Sequence, residues 1–440
     1  MKTCAWLLAA AVVAAADEAA TMQWLAEEHT KLGAAAKKDG LAEEAVAAFT
    51  MALRAVPDFV EADRGLKAGR RPWVLKWDDA THAKFLAYEK GRRVVAKLAA
   101  ERLVSLGDER KAAGSAKRAE AAWRWALEID PSCPAAHERL GEGLLEEEGI
   151  YYLKAELEKR KQGLLPVGAE WLPAKEAEAR HSKWAEAWVE KSAHFELTSN
   201  LSLENTRKVL ARAEDLYHVL TRELSTMIEP PKTDGLMKLA CFASREDLDG
   251  HIKAAHGSRD ELKALAGFFS TEDKMSHFLP IPNTATGGLD DNVRREVTHQ
   301  ILSNVWKSKG SPEAHVGYWA WVGLSLFFEA VETRDGKLLV GSPDHVRILQ
   351  FRQDFPIGKH VKLEKFTNFV VRDIVDRPAQ CAALASYFMM SSRGRFRDQF
   401  IAYAKIVHEG TTEFTTFQQC FRKEAKELQA EWEAWVDGLK

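Results

Sequence analysis

The feature that most constrains the fold of this chain is a recurrence in its first third. Leu32, Gly33, Ala36, Gly40, Ala45, Phe49, Ala52 and Pro57 take positions 7, 8, 11, 15, 20, 24, 27 and 32 of a 34-residue frame that begins at residue 26. A second frame, beginning at residue 100, places Leu106, Gly107, Gly114, Ala119, Trp123, Ala126 and Pro131 at 7, 8, 15, 20, 24, 27 and 32. Leu140 and Gly141 then follow Leu106 and Gly107 by 34 residues. Each frame predicts two antiparallel helices. Small residues at 8 and 20 let the two backbones approach, and the bulky residue at 24 fills the space between them. Proline at 32 ends the second helix, because it has no N–H to donate and clashes with the preceding turn. The frames begin 74 residues apart rather than 68, so six residues are inserted between them, near Gly69, Arg70, Arg71, Pro72 and Trp73.

The spacing resembles the tetratricopeptide (TPR) repeat. It sits in a stretch, residues 17–165, rich in Ala, Leu, Glu, Lys and Arg at helical spacing. The resemblance implies a solenoid whose concave groove binds a protein or peptide partner and does no chemistry of its own. The same helices would equally serve to brace the rest of the chain. The third copy fades after Gly149. Residues 150–190 are read as a helical connector.

Residues 1–16 are set apart from the fold. Lys2 gives a positive start, residues 5–16 form an apolar run, and Ala14 and Ala16 are the small residues of a cleavage site before Asp17. This is the pattern of a secretory signal and points to a periplasmic or extracellular protein. Cys4 precedes the apolar run, which places it badly for a lipoprotein cleavage site. The next longest apolar run, Val316 to Phe328, is too short to span a membrane and is expected as a buried helix. With 62 Lys and Arg against 65 Asp and Glu, the chain has no basic footprint for nucleic acid. Cys133, Cys241, Cys381 and Cys420 are scattered without a C-x-x-C pair, which removes a zinc-ribbon reading.

From His194 the texture becomes α+β. Strands are predicted at 194–200, 239–244, 267–271 and 275–281, and helices over Leu203–Leu224 and Arg245–His256. The segment Arg295-Glu296-Val297-Thr298-His299-Gln300 then falls one residue short of H-E-x-x-H, the helical motif that binds zinc through two histidines at i and i+4 and uses the glutamate as general base. Twenty residues on, Trp319, Gly323, Ser325, Phe327 and Glu329 stand at the spacing of a second helix.

These two segments resemble the paired metal-binding helices of gluzincin metallopeptidases, the second of which reads roughly W-x-x-E-G-x-A-x-[YF]-x-E. The whole stretch from about 190 to 440 resembles a domain of exported planctomycete proteins that carries a gluzincin-like core, often behind TPR repeats. Its opening strand is matched by 194–200, its motif helix by 295–302, and its helical end by 381–390, 394–407 and 414–436. The resemblance implies an α-helical TPR-like solenoid followed by an α+β zincin-like (gluzincin) domain, overall mostly α. This chain departs from the pattern at the metal. Arg295 replaces the first histidine and Val322 the ligand glutamate, leaving His299 as a vestigial single ligand and Glu296 as a vestigial general-base position. Catalytic zinc takes three protein ligands and one open position. Valine has no donor atom, and a permanently protonated arginine repels a dication.

The expected organisation is a signal peptide at 1–16, TPR-like helices at 17–149, the connector at 150–190 and the gluzincin-like domain at 191–440. Arg295 is expected to fill the space of the metal, paired with Glu296, Glu329 or Asp291. The expected function is binding or scaffolding by a pseudo-peptidase, not an enzyme and with no cofactor. The alternative is an active zinc metallopeptidase that uses Glu296 as base and His299 with unidentified ligands. In a third reading the two parts only pack on each other. His277, His315, His345 and His360 are read as isolated, and His251 and His256, five residues apart, do not share one helix face.

Overall fold

In the computed structural model of the protein, residues 2–68, 79–145, 150–224, 235–256, 266–270, 272–280, 290–306, 314–334, 337–341, 345–355, 358–391 and 394–439 are described. The fold is mostly helical, at 67% helix, with a small sheet region. It divides into two compact units, Met1–Ala174 and Lys175–Lys440.

The first unit opens on three helices that pack on one another. These are α1 (Lys2–Asp39), α2 (Ala42–Ala55) and α3 (Val60–Ala68). Phe49 of α2 lies against two helical glycines: a Cβ on Gly33 would sit 2.7 Å from its ring, and one on Gly65 2.5 Å. Phe49 is 2% exposed and is gathered with Ala26, Ala36, Leu41, Ala45, Ala52 and Ala62. The second cluster forms between α4 (Asp79–Ala112) and α5 (Ala116–Ile129). There Trp123 lies against Gly107, where a Cβ would sit 2.2 Å from the indole nitrogen. Alanines at both crossings let helix backbones come close, and the one large side chain occupies the space they leave. Arg110 and Arg118 both pair with Glu18 of α1, and Arg54 pairs with Glu128, so ion pairs add to the apolar seams. The insertion expected near residues 69–73 lies outside the described residues. So do the side chains of residues 2–17, which cover nearly all of the stretch read as a signal.

The segment expected to be a helical connector alternates hairpins with short helices instead. After α6 (Pro134–Arg139) come strands β1 (Glu142–Leu145) and β2 (Ile150–Leu153), then α7 (Lys154–Lys161), then strands β3 (Leu164–Val167) and β4 (Glu170–Pro173). Both hairpins are antiparallel. They open alike: Gly141 and Gly163 take positive φ angles of 78° and 71°, and their carbonyls accept from the N–H groups of Lys154 and Ala174. Short helices also pack on the aromatic residues of the hairpin that follows. His137 stacks on Tyr151 at 3.4 Å, and Lys159 and Arg160 lie over Trp171. The helical charges of 154–161 and 174–181 dominate the sequence pattern, and the β-forming Tyr151, Tyr152 and Trp171 between them set the hairpins. The boundary between units therefore falls inside the predicted connector, at Ala174, and the third helical frame gives way to β1 after Gly141.

The second unit starts on α8 (Ala174–His181) and is built on a five-stranded sheet. Its strands are β5 (Trp188–Lys191), β6 (Phe195–Ser199), β7 (Met237–Cys241), β8 (Gly267–Ser270) and β9 (Met275–Phe278), in the order β5-β6-β7-β9-β8. The three central strands run parallel and both edge strands antiparallel. Strand β6 alternates buried and half-buried residues, as a sheet with two unlike faces requires. Helix α9 (Leu203–Glu223) connects β6 to β7, and α10 (Arg245–His256) follows β7. Helix α11 (Asp290–Val305) packs on β8 and β9, and α12 (Tyr318–Glu329) packs on α11. The hairpin of β10 (Val331–Arg334) and β11 (Lys337–Val340), which the sequence pattern did not predict, leads into α13 (Val346–Asp354).

The rest is helical: α14 (Leu363–Phe366), α15 (Val371–Ile374), α16 (Pro378–Met390), α17 (Arg397–His408), α18 (Thr416–Phe421) and α19 (Ala425–Asp437). Helices α12 and α16 are buried almost all round, which is why neither carries a polar face. They cross closely at Gly323, where a Cβ would sit 2.7 Å from the Cys381 carbonyl oxygen. Trp319 is fully buried among the rings of Phe366, Phe388, Phe400 and Tyr403. Among the described residues no helix is long and apolar enough to cross a membrane.

Candidate functional site

Helix α11 carries the motif segment and is fixed to the sheet by its polar side chains. Asn292 donates to the carbonyls of Ala266 and Leu279 at 3.0 and 2.7 Å. Gln300 donates to Lys274 O at 3.0 Å, and the Ser276 hydroxyl donates to Glu296 O at 2.9 Å. Gly267 of β8 lies directly beneath Glu296: a Cβ there would come within 2.7 Å of the glutamate Cγ. The carboxylate is thereby held on the sheet side of the helix and is 1% exposed.

Arg295 turns back onto this carboxylate. Its Nε donates to Glu296 Oε1 at 2.9 Å, and its Nη2 donates to Asn292 Oδ1. Burial works to raise the Glu296 pKa, but the Arg295 charge and the neighbouring His299 outweigh it and hold the carboxyl below its usual range. Conversely, burial disfavours the guanidinium, and Glu296 and then Glu329 more than offset that, so Arg295 stays above its ordinary value. Two acids thus face one arginine. Glu329, at the end of α12, is also locked by a second arginine, Arg347 of α13, which donates Nε to Oε1 at 3.0 Å and Nη2 to Oε2 at 3.3 Å. The side chains of Asp290 and Asp291 lie outside the described residues.

His299 stands one turn from Arg295. Its Nδ1 is 3.6 Å from Glu296 Oε2, too long for a hydrogen bond, and its ring stacks on Trp321 at 5.1 Å. Trp321 stacks in turn on His408 at 4.2 Å. His408 Nε2 donates to Trp306 O at 3.1 Å, and burial pushes its pKa down to about 4, so it is a neutral imidazole in this stack. His299 Nε2 and Glu296 Oε2 are buried and have no hydrogen-bond partner among the described residues. Val322, next to Trp321, is half-buried on α12.

The residues at the sequence-predicted ligand positions do not fit zinc. Arg295 is engaged with Glu296 and Asn292 as a donor, and it brings a positive charge to the ring it neighbours. Val322 contributes no lone pair. One imidazole remains, where a catalytic zinc takes three protein ligands. No hydrolytic step through a metal follows from this geometry.

A second group of metal-ligating types stands elsewhere in the second unit, and the motif reading passed over it. His194, just before β6, and Glu214 and His218, both on α9, bring their ligand atoms within 4.8 Å of one another. In the sequence only Glu214 and His218, at i and i+4, are recognisable neighbours. His194 is twenty residues away from Glu214, and the pairing of β6 with α9 brings it in. His251 and His277, read as unrelated, also meet, with rings 5.0 Å apart beside Phe242 and Phe268. His277 additionally bonds Asp273 through Nε2 at 2.9 Å.

No family model matches this sequence, and no curated protein matches it.

Proposed function

We propose that the chain is an exported pseudo-peptidase, a degenerate gluzincin-like domain behind TPR-like helices, that acts by protein binding or scaffolding rather than hydrolysis. The observation that carries this reading is the pairing of Arg295 with Glu296. The carboxylate that would serve as general base is instead the counter-ion of a buried arginine, and its pKa is held low, the wrong direction for a group that must take a proton near neutral pH. The repeated packing of Phe49 and Trp123 against helical glycines supports the TPR-like part of the reading. A protein or peptide in the groove of those helices is the partner it implies.

A peptide-hydrolysis assay on the full chain tests it, with Glu296→Gln as the comparison. No hydrolysis above that of the Gln variant is expected. Activity that Glu296→Gln abolishes would refute the reading. A second variant tests the ancestry: Arg295→His with Val322→Glu recreates the ligand set, and zinc that this variant binds and that a further His299→Ala removes would support the gluzincin-like core.

The alternative is a divergent zinc metallopeptidase built on Glu296 and His299. It is favoured by one observation, the unpartnered buried Nε2 of His299. The same Glu296→Gln comparison separates the two.

A further inference from the structure

We propose that His194, Glu214 and His218 form a binding site for a divalent transition-metal cation of the zinc type, independent of the motif helix. The donor set is two imidazoles and one carboxylate, the chemistry that zinc and its first-row neighbours take. The ligand atoms lie within 4.8 Å of one another. His194 Nδ1 is 2.7 Å from Glu214 Oε2, and His218 Nε2 is 4.0 Å from the same oxygen. Ligands about 2.1 Å from a tetrahedral zinc stand about 3.4 Å apart. The first separation is about 0.7 Å shorter than that value and the second about 0.6 Å longer, and the two histidine donors are no more than 4.8 Å apart, so rotamer shifts of the two histidines, not backbone movement, would bring the three donors to bonding distance.

The surroundings hold the first two ligands in place. The backbone N–H of His194 donates to Glu214 Oε1 at 2.8 Å, which orients the carboxylate and leaves Oε2 toward the histidines. Tyr217 stacks on the His194 ring at 3.7 Å, with Phe195 edge-on to Tyr217. Such outer contacts fix ligand rings in metal sites. Glu214 and His218 share one face of α9 at i and i+4. The His218 side chain is 69% exposed, so the site has an entry path and its open position faces solvent. A plain hydrogen bond between His194 and Glu214 does not require His218. That residue therefore carries the test.

A bound cation would tie the residue just before the sheet's second strand to α9. It would act as a structural clip, with no part in the chemistry discussed for α11.

The test is calorimetric titration of Zn2+ into the chelator-treated full chain, with Co2+ absorption as a second readout. One saturable site is expected, with Co2+ bands characteristic of nitrogen and oxygen ligands. His218→Ala should weaken Zn2+ by more than about tenfold, and His299→Ala should leave it unchanged. Because His218 is exposed, its removal does not threaten the fold, and circular dichroism of the variant checks this. Absence of saturable binding, or equal binding by the wild type and His218→Ala, would overturn the proposal. Loss of binding in His299→Ala alone would instead place the metal on α11 and count against the proposed function.

Discussion

Replacing Arg295 by methionine keeps most of the side chain's length and removes its charge. What remains is Glu296, 1% exposed, with His299 Nδ1 3.6 Å away, beyond hydrogen-bond reach. Breaking a buried ion pair from one side costs about 3–5 kcal/mol, because the other charge is left uncompensated. For a unit of this size that is a fall in melting temperature of about 6–20 °C. The cost should depend on pH, and its sign can be worked out. In the wild type the folded Glu296 pKa lies below its unfolded value, so its contribution is present above the unfolded pKa and lost as pH falls through the folded one. Without Arg295 the burial that opposes ionisation prevails and the folded pKa rises above the unfolded value. Stability of the variant then falls as pH rises from about 4.3. The gap between wild type and variant should be widest near neutral pH and smallest near pH 4, where a protonated Glu296 needs no partner. Urea unfolding at several pH values, followed by tryptophan fluorescence, reads this directly. Adding Glu296→Gln to Arg295→Met should recover part of the loss, with a coupling of about 0.5–3 kcal/mol. A cost below about 1 kcal/mol at neutral pH, or one that does not change with pH, would refute the argument that this arginine is held by a buried carboxylate.

Gly107→Ala should destabilise by about 1–3 kcal/mol, since the new methyl meets the Trp123 indole. Gly91→Ala on the same helix meets nothing within 4 Å and should stabilise by about 0.4–1 kcal/mol, which thermal unfolding of the pair distinguishes. His408 is neutral when folded, with its pKa moved from 6.5 to about 4, so its contribution is complete above about pH 6.5 and lost as pH falls to about 4. That amounts to about 3 kcal/mol, and His408→Gln should flatten the stability profile across that window. Of the four described thiols, Cys420 is half-exposed while Cys133, Cys241 and Cys381 are buried, so a thiol reagent should label Cys420 first and the others only on unfolding.

The strands between 194 and 281 were legible as short, well-bounded runs, and the helices as amphipathic patterns. Arg245–His256 is a helix with the ends its pattern gave, and Leu203–Glu223 stops one residue before its expected end. The partner of Arg295 was legible as a choice among three acids, and the helix geometry selects Glu296 for the hydrogen bond while Glu329 acts at longer range. What was not legible depended on contacts distant in sequence. Arg347 gives no sign in the chain of its bond to Glu329, which forms because the β10–β11 hairpin turns the backbone around. His194 likewise joins Glu214 only through the packing of strand on helix. The hairpins in 142–173 were missed for a local reason: four-residue strands are too short to show a period of two beside charged helices.

Under the proposed function, Arg295 of α11 stands where a gluzincin-like domain would hold a metal ligand. Zinc content of the purified full chain, compared with His299→Ala and His218→Ala, tests it most directly. The expected result is that any bound zinc survives His299→Ala unchanged. Stoichiometric zinc that disappears in His299→Ala and persists in His218→Ala would contradict it.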